Sequence, residues 1–300
     1  MTSSSPIVRV IVSASFVCSS LGIAVAQQTP PPGQGGQGGQ GGPGGPPAQP
    51  DGWSVQVGGG FLFSPTYLGD DDYQLRALPN IQVNYGDDFF ASVQTGIGYN
   101  LLRGGNLRTG AWRAGPIMRI AFGREAEGAQ PFVIAGENTQ DLQGLGDINT
   151  TFELGGFFAY ETPKWQVQVE AREGLNGHEG FVADITLNRR GRFQALGGMN
   201  IFSVGPRVRF VDGEFNGAYF GVNGAQSLAS GLPVFDAGGG LQTYGVGANI
   251  VRPIGSKRRI IGVVTAGYDR IGGDAGDAPL VRLRGSRNQA SIGFFLSYRL

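Results

Sequence analysis

Gln289-Ala290-Ser291-Ile292-Gly293-Phe294-Phe295-Leu296-Ser297-Tyr298-Arg299-Leu300 alternates strictly in character, with one exception at Phe295. Ala290, Ile292, Phe294, Leu296, Tyr298 and Leu300 are apolar, while Gln289, Ser291, Gly293, Ser297 and Arg299 between them are polar or bare. A period of two places successive side chains on opposite faces of a strand, so one face is greasy and the other is not. Working back along the chain, the same period recurs. It appears in Trp53, Val55, Val57, Phe61 and Phe63, again in Phe89, Ala91, Val93, Ile97, Tyr99 and Leu101, and again in Trp165, Val167, Val169 and Ala171.

These runs are about 9 to 12 residues long, whereas strands of soluble sandwiches are usually nearer five or six. Nine to eleven residues is the length that crosses a bilayer at a tilt. Aromatic residues near the run ends (Trp53, Tyr99, Trp112, Trp165, Tyr298) suit the two interfacial girdles of such strands. Hydrocarbon offers no partner to backbone N–H and C=O groups, so spanning strands require a sheet closed on itself. The pattern therefore predicts an all-β fold: a transmembrane antiparallel up-and-down β-barrel of about 12 strands, within a range of 10 to 14. The strands are expected near 53–63, 73–85, 88–101, 111–122, 150–161, 164–172, 180–190, 198–210, 217–224, 240–251, 258–270 and 288–300. Short turns are expected at Gly86-Asp87 and Gly255-Ser256-Lys257, and long loops at 64–72, 102–110, 225–239 and 271–287. This count leaves 123–149 long where alternation wants a short turn, and Thr162-Pro163 short where it wants a long one. Either a strand lies near Pro131-Phe132-Val133-Ile134 or one assignment in that region is wrong.

The segment before the barrel divides in two. Residues 1–26 hold Arg9, an apolar stretch from Val10 to Leu21 and Ala24-Val25-Ala26, the order of a secretory signal peptide, with cleavage expected after Ala26. Of residues 27–50, 22 of 24 are Gly, Pro or Gln, so 27–52 is expected to be a disordered periplasmic tether. The barrel domain is 53–300. Cys18 is the only cysteine and falls in the signal, so the mature chain is expected to carry neither disulfide nor Cys-ligated metal. A lipidated Cys18 is disfavoured because Ser15-Phe16-Val17 precede it and the apolar run continues past it.

Charge and composition exclude other classes. The net charge is +0, which removes the electrostatic field that draws a protein to nucleic acid. His178 is the only histidine, so a His-rich metal centre is excluded and any Ser-His-acid triad must use it. Paired with Glu179 or another carboxylate and a strand-end serine it could serve a lipid acyl hydrolase, but no recognisable serine motif accompanies it. No catalytic residue, cofactor or metal is expected. Asp70, Asp71 and Asp72 offer oxygen ligands of the kind Ca²⁺ prefers, but without EF-hand spacing they are expected to be a solvated loop. Arg113, Arg119, Glu153, Glu170, Arg172, Asp184, Arg207, Arg209 and Arg299 fall on the polar side of their strands and are expected to face the lumen, pairing across it and plugging it. The alternative is a pore lined by the same charges. Asp274, Asp277, Arg282, Arg284 and Arg287 belong to the last long loop, expected to be an ordinary solvated outer loop; folding inward as a plug or meeting lipopolysaccharide phosphates are the alternatives.

That loop also carries a resemblance. Gly267-Tyr268-Asp269-Arg270, Gly273-Asp274-Ala275-Gly276-Asp277-Ala278-Pro279 and Gly285-Ser286-Arg287-Asn288-Gln289 resemble the C-terminal signature of the MipA/OmpV family. Tyr67-Leu68-Gly69-Asp70-Asp71-Asp72-Tyr73 is similar to its first loop, Gly144-Leu145-Gly146-Asp147-Ile148 to its mid-chain motif, and Tyr219-Phe220-Gly221-Val222 with Leu232-Pro233 to later ones. The resemblance covers about 53 to 300. It implies a non-enzymatic protein of the cell outer membrane, in contact with outer-membrane lipid and lipopolysaccharide. The founding type is a scaffold joining a murein transglycosylase to a murein synthase, and other members are associated with osmotic response or adhesion. The chain departs from the pattern in Leu300, where a terminal Phe is usual, and in the Gly/Gln/Pro tether.

Overall fold

The computed structural model describes residues 52–300 apart from 107, 128–131 and 137–138. The export signal, its cleavage point and the tether up to residue 51 lie outside the described residues. Fourteen strands are described. The first seven are β1 (Trp53–Pro65), β2 (Tyr73–Tyr85), β3 (Phe89–Ser92), β4 (Gly96–Tyr99), β5 (Leu102–Asn106), β6 (Gly110–Ala121) and β7 (Val133–Ala135). The rest are β8 (Thr151–Glu161), β9 (Trp165–Leu175), β10 (Phe181–Ala195), β11 (Gly198–Val211), β12 (Gly240–Ile254), β13 (Ile260–Ile271) and β14 (Asn288–Arg299). Short helices α1 (Gly213–Phe220), α2 (Gly224–Ser230), α3 (Gly273–Asp277) and α4 (Pro279–Arg284) occupy the last two long connections.

Neighbours in sequence pair antiparallel around a ring, and β14 pairs back onto β1 with Ile292 opposite Phe63. The sheet closes with no edge, the only way strands satisfy their backbone in lipid. Twelve strands form the ring. Of the other two, β5 prolongs β4 against β6, and β7 pairs the far end of β2. Alternation sets the two faces. On β1, Phe61 and Phe63 are 50% and 44% exposed, whereas Leu62 between them is 5% exposed. Such a belt of outward apolar side chains around the whole sheet is what a lipid solvent requires. Trp53, Tyr85, Trp112, Tyr160, Trp165 and Tyr298 form an exposed girdle at the short-turn end; Phe152, Phe181, Phe210, Tyr244 and Tyr268 form one at the other.

The ring has the expected number of strands because two sequence-based assignments change in opposite directions. The run 88–101 is two strands, β3 and β4. Ser92 Oγ accepts the Thr95 N–H at 2.9 Å, and Gly96 adopts φ +82°, which turns the chain back on itself. The expected strand 217–224 is instead the end of α1, with Phe215 and Tyr219 one helical turn apart and both buried. Asp212 caps that helix, accepting the Phe215 N–H at 2.9 Å. The segment 102–110 is likewise not a long loop. β5 and β6 run together to Asn106 opposite Gly110, and Asn106 Oδ1 accepts the N–H groups of Arg108 and Thr109 at 3.0 Å.

With the extra turn at 93–95 the alternation of connections becomes regular. The connections 66–72, 93–95, 122–150, 176–180, 212–239 and 272–287 leave and rejoin the ring at one end. The connections 86–88, 107–109, 162–164, 196–197 and 255–259 leave and rejoin it at the other. The apparent irregularity at 123–149 came from counting one strand too few before it. The short strand near Pro131-Phe132-Val133-Ile134 also exists, as β7, but it pairs outside the ring.

Candidate functional site: the lumen and its lid

Inward-facing side chains on five adjacent strands converge on Arg172. Its Nε donates to Glu153 Oε2 at 2.7 Å, Nη1 to Glu170 Oε2 at 2.6 Å and Nη2 to Asp184 Oδ2 at 2.7 Å. The Arg172 side chain is 1% exposed. Arg209 adds a second cation on Asp184, with Nε to Oδ1 at 2.8 Å, and Arg119 adds one on Glu170 at 2.8 Å. A planar guanidinium with five fixed donors suits such a hub, since it can satisfy three carboxylates at once. Nearer the short-turn end, Glu161 accepts from Arg113 at 2.9 Å and Arg190 at 2.8 Å. Two residues before Arg209 on β11, Arg207 lies across Gly247 and Gly267 to reach Asp269 on β13 at 2.8 Å.

Apolar clusters fill much of what the charges leave. Leu62, Leu78, Ile261, Val263 and Phe295 pack together, and Phe90, Ile117 and Phe157 form a second group. Phe295, the one break in the opening alternation, is therefore an inward residue at an inward position. Inner glycines make room for these large side chains: a β-carbon at Gly98 would overlap the Phe90 ring. Between charges and rings remains a cavity of about 100 Å³ lined by Asn80, Gln82, Gln94, Arg119, Glu170 and Asn188, among others. That is space for several water molecules.

The long-connection end carries a lid with its own core. Phe215, Tyr219 and Phe220 of α1, Ala275 of α3 and Val281 of α4 pack with Leu68 onto Val182, Val211 and Ile271 at the strand ends. Tyr67, Leu142, Leu145, Val222, Leu232 and Leu280 form an adjoining cluster. Arg124 pins the 122–150 connection to α1, donating to the Tyr219 carbonyl at 2.7 Å and the Leu145 carbonyl at 3.3 Å. Burial pushes its pKa down to about 10. His178 links lid and lumen. Its Nδ1 accepts the Gly180 N–H at 3.1 Å, which leaves the ring proton on Nε2 to donate to Glu153 Oε1 at 3.2 Å. Phe215 packs over the ring at 4.7 Å between centroids.

Of the residues singled out for the lumen, the structure brings Arg119, Glu153, Glu170, Arg172, Asp184 and Arg209 into one network, places Arg113 with Arg190 on Glu161, and sets Arg207 on Asp269. Arg299 is half-buried at the short-turn end, its Nε without a partner among the described residues. Glu161, Arg190 and Asp269 were missed, although counting in twos along β8, β10 and β13 would have found them. Arg124 sits in an irregular segment and left no such signal.

Two outer-loop expectations are corrected. Asp70 is fully buried, accepting from Thr66 Oγ1 and, at 3.1 Å, from the Asp72 N–H; only Asp71 and Asp72 are exposed. The 271–287 segment is not an ordinary solvated loop, because α3 and α4 bury Ala275, Ala278, Leu280 and Val281. Within it Asp274 accepts the Gly238 N–H at 2.8 Å, Asp277 pairs with Arg287, Arg284 donates to the Asp141 carbonyl at 2.7 Å, and Arg282 is exposed.

An edgeless twelve-stranded sheet with a lipid-facing belt, two aromatic girdles and a charge network inside defines an outer-membrane β-barrel protein, and the cell outer membrane is its location. Residues 57–300 match the family model described as MltA-interacting protein MipA, and the chain belongs to that family. No curated protein matches it. Among solved structures it is similar to a bacterial polysaccharide outer membrane secretin at 8% identity and TM-score 0.35, covering 83% of this chain and 99% of that one. It is similar also to the outer membrane protein OprD from Pseudomonas aeruginosa at 11% identity and TM-score 0.28, covering 83% and 65%.

Proposed function

We propose that this chain is a non-enzymatic structural barrel that holds a murein transglycosylase, and with it a murein synthase, at the periplasmic face of the outer membrane. The observation that carries the reading is the Arg172 hub: a filled and lidded lumen leaves the two end surfaces, rather than a channel, to do the work. The family description supplies the partner. In barrels of this class the short turns face the periplasm. Here that end displays Arg108, Lys164, Arg192, Lys257, Arg258 and Arg259, against Asp87 and Asp88 as the acids of its turns among the described residues. Such a rim attracts an acidic protein face and steers its approach. Gly52 stands at the same end, its carbonyl accepting the Gly86 N–H at 2.9 Å, so the tether expected over 27–52 would join the barrel there.

Catalysis by His178 is disfavoured because both ring nitrogens are committed, one to a carboxylate and the other to a backbone N–H. The test has two arms. Purified barrel in a planar bilayer is expected to show no stable single-channel steps, and their appearance would favour the pore reading. Immobilised barrel is expected to retain the murein transglycosylase, and the K257E/R258E/R259E variant to retain several-fold less; equal retention by both would remove the rim from the account.

A further inference from the structure

The lid gathers carboxylate oxygens that no Lys or Arg side chain contacts as an ion pair among the described residues. One carboxylate oxygen from each of Asp70, Asp71 and Asp141 can be chosen so that all lie within 4.8 Å of one another. Asp70 and Asp71 come from the β1–β2 connection and Asp141 from the 122–150 connection, so folding has brought together acids about seventy residues apart. None of the three forms an ion pair among the described residues. The nearby arginines are engaged elsewhere: Arg284 donates to the carbonyls of Asp141 and Ser230, and Arg124 to those of Tyr219 and Leu145.

A second observation points the same way. Tyr67 is 4% exposed, and its hydroxyl has no hydrogen-bond partner among the described residues. Burial pushes its pKa up, and the charges of Asp70, Asp141 and Asp71 push it the same way. A buried phenol left without a partner is costly, and a water held on a cation beside it would satisfy it.

We propose that Asp70, Asp71 and Asp141 ligate a calcium ion that staples the β1–β2 connection to the 122–150 connection, with the Tyr67 hydroxyl bonded to a water in its shell. An all-oxygen donor set selects a hard cation. Mg²⁺ demands near-ideal octahedral geometry and gives up its water reluctantly, so carboxylates offered by two irregular connections suit the more adaptable Ca²⁺. Asp70 also pairs with Gly285 in an isolated bridge, so the ion would fasten the segment after α4 as well. Extracellular calcium modules bind on the order of 10⁻⁴ to 10⁻³ M, and the same range is expected here.

The test uses the full mature barrel, refolded in detergent and stripped with chelator. Terbium is the probe, excited through tyrosine, with Ca²⁺ and Mg²⁺ as competitors. The wild type is expected to give saturable luminescence that Ca²⁺ displaces and equal Mg²⁺ does not. D71N/D141N, which alters residues that are not fully buried, is expected to lose it while keeping the mobility shift of a folded barrel on unheated gels. D72N, one residue outside the cluster, is expected to retain it. Absence of Ca²⁺-displaceable luminescence in the wild type, its persistence in D71N/D141N, or equal loss in D72N would each overturn the site.

Discussion

His178 Nε2 lies 3.2 Å from Glu153 Oε1, and this single hydrogen bond joins the lid to the charge network inside the barrel. Glu153 in turn accepts from Arg172, so the imidazole is the outermost member of a chain that reaches Asp184 and Arg209.

Removing the hub takes one donor from each of three carboxylates. Arg172→Met leaves Glu153 with His178, Glu170 with Arg119 and Asp184 with Arg209, in a site where the arginine was 1% exposed. Breaking a buried pair in this way costs about 3–5 kcal/mol. The expected outcome is a lower urea midpoint for unfolding in detergent and the onset of small, unstable conductance in planar bilayers.

His178→Ala should separate a structural from a catalytic histidine. Glu153 keeps Arg172, so the loss is the two hydrogen bonds of the imidazole, to Glu153 and from the Gly180 N–H, and the packing under Phe215, about 1–3 kcal/mol. Lipid A and phospholipid composition of cells carrying the variant should be unchanged. A shift in either would revive the hydrolase reading.

Gly98→Ala tests the inner glycines. The added methyl must displace the Phe90 ring, an overpacking cost of about 1–3 kcal/mol. A second change, Phe90→Leu, should recover part of that loss. A double-mutant cycle measures the coupling, and strict additivity would show that ring and glycine do not meet.

Arg124→Met should loosen the lid and spare the barrel. The Tyr219 carbonyl loses its donor, and the 122–150 connection loses its anchor on α1. Amide exchange should accelerate through 139–149 and 213–220 and stay slow in β8 to β11. Uniform acceleration would mean that lid and barrel open together.

Much of the barrel was legible along the chain because lipid imposes a simple rule: every second residue outward and apolar. That rule carries through β1, β8, β9, β13 and β14 with few exceptions. It failed where the chain leaves the bilayer. Gly217-Ala218-Tyr219-Phe220 looked like a strand, yet its aromatic residues needed helical spacing to reach the lid core. The 88–101 run looked like one strand because a turn of three residues at 93–95 leaves no long polar gap.

The inward parity of Glu153, Glu170, Arg172, Asp184 and Arg209 is a local property, set by position along each strand, and alternation alone assigns it. Which of these charges meet is not local. The stagger between neighbouring strands sets those distances, and one step of register would carry every side chain to the opposite face. The approach of Asp141 to Asp70 and Asp71 is likewise a product of the lid's packing, since no periodicity links residues about seventy apart in irregular connections.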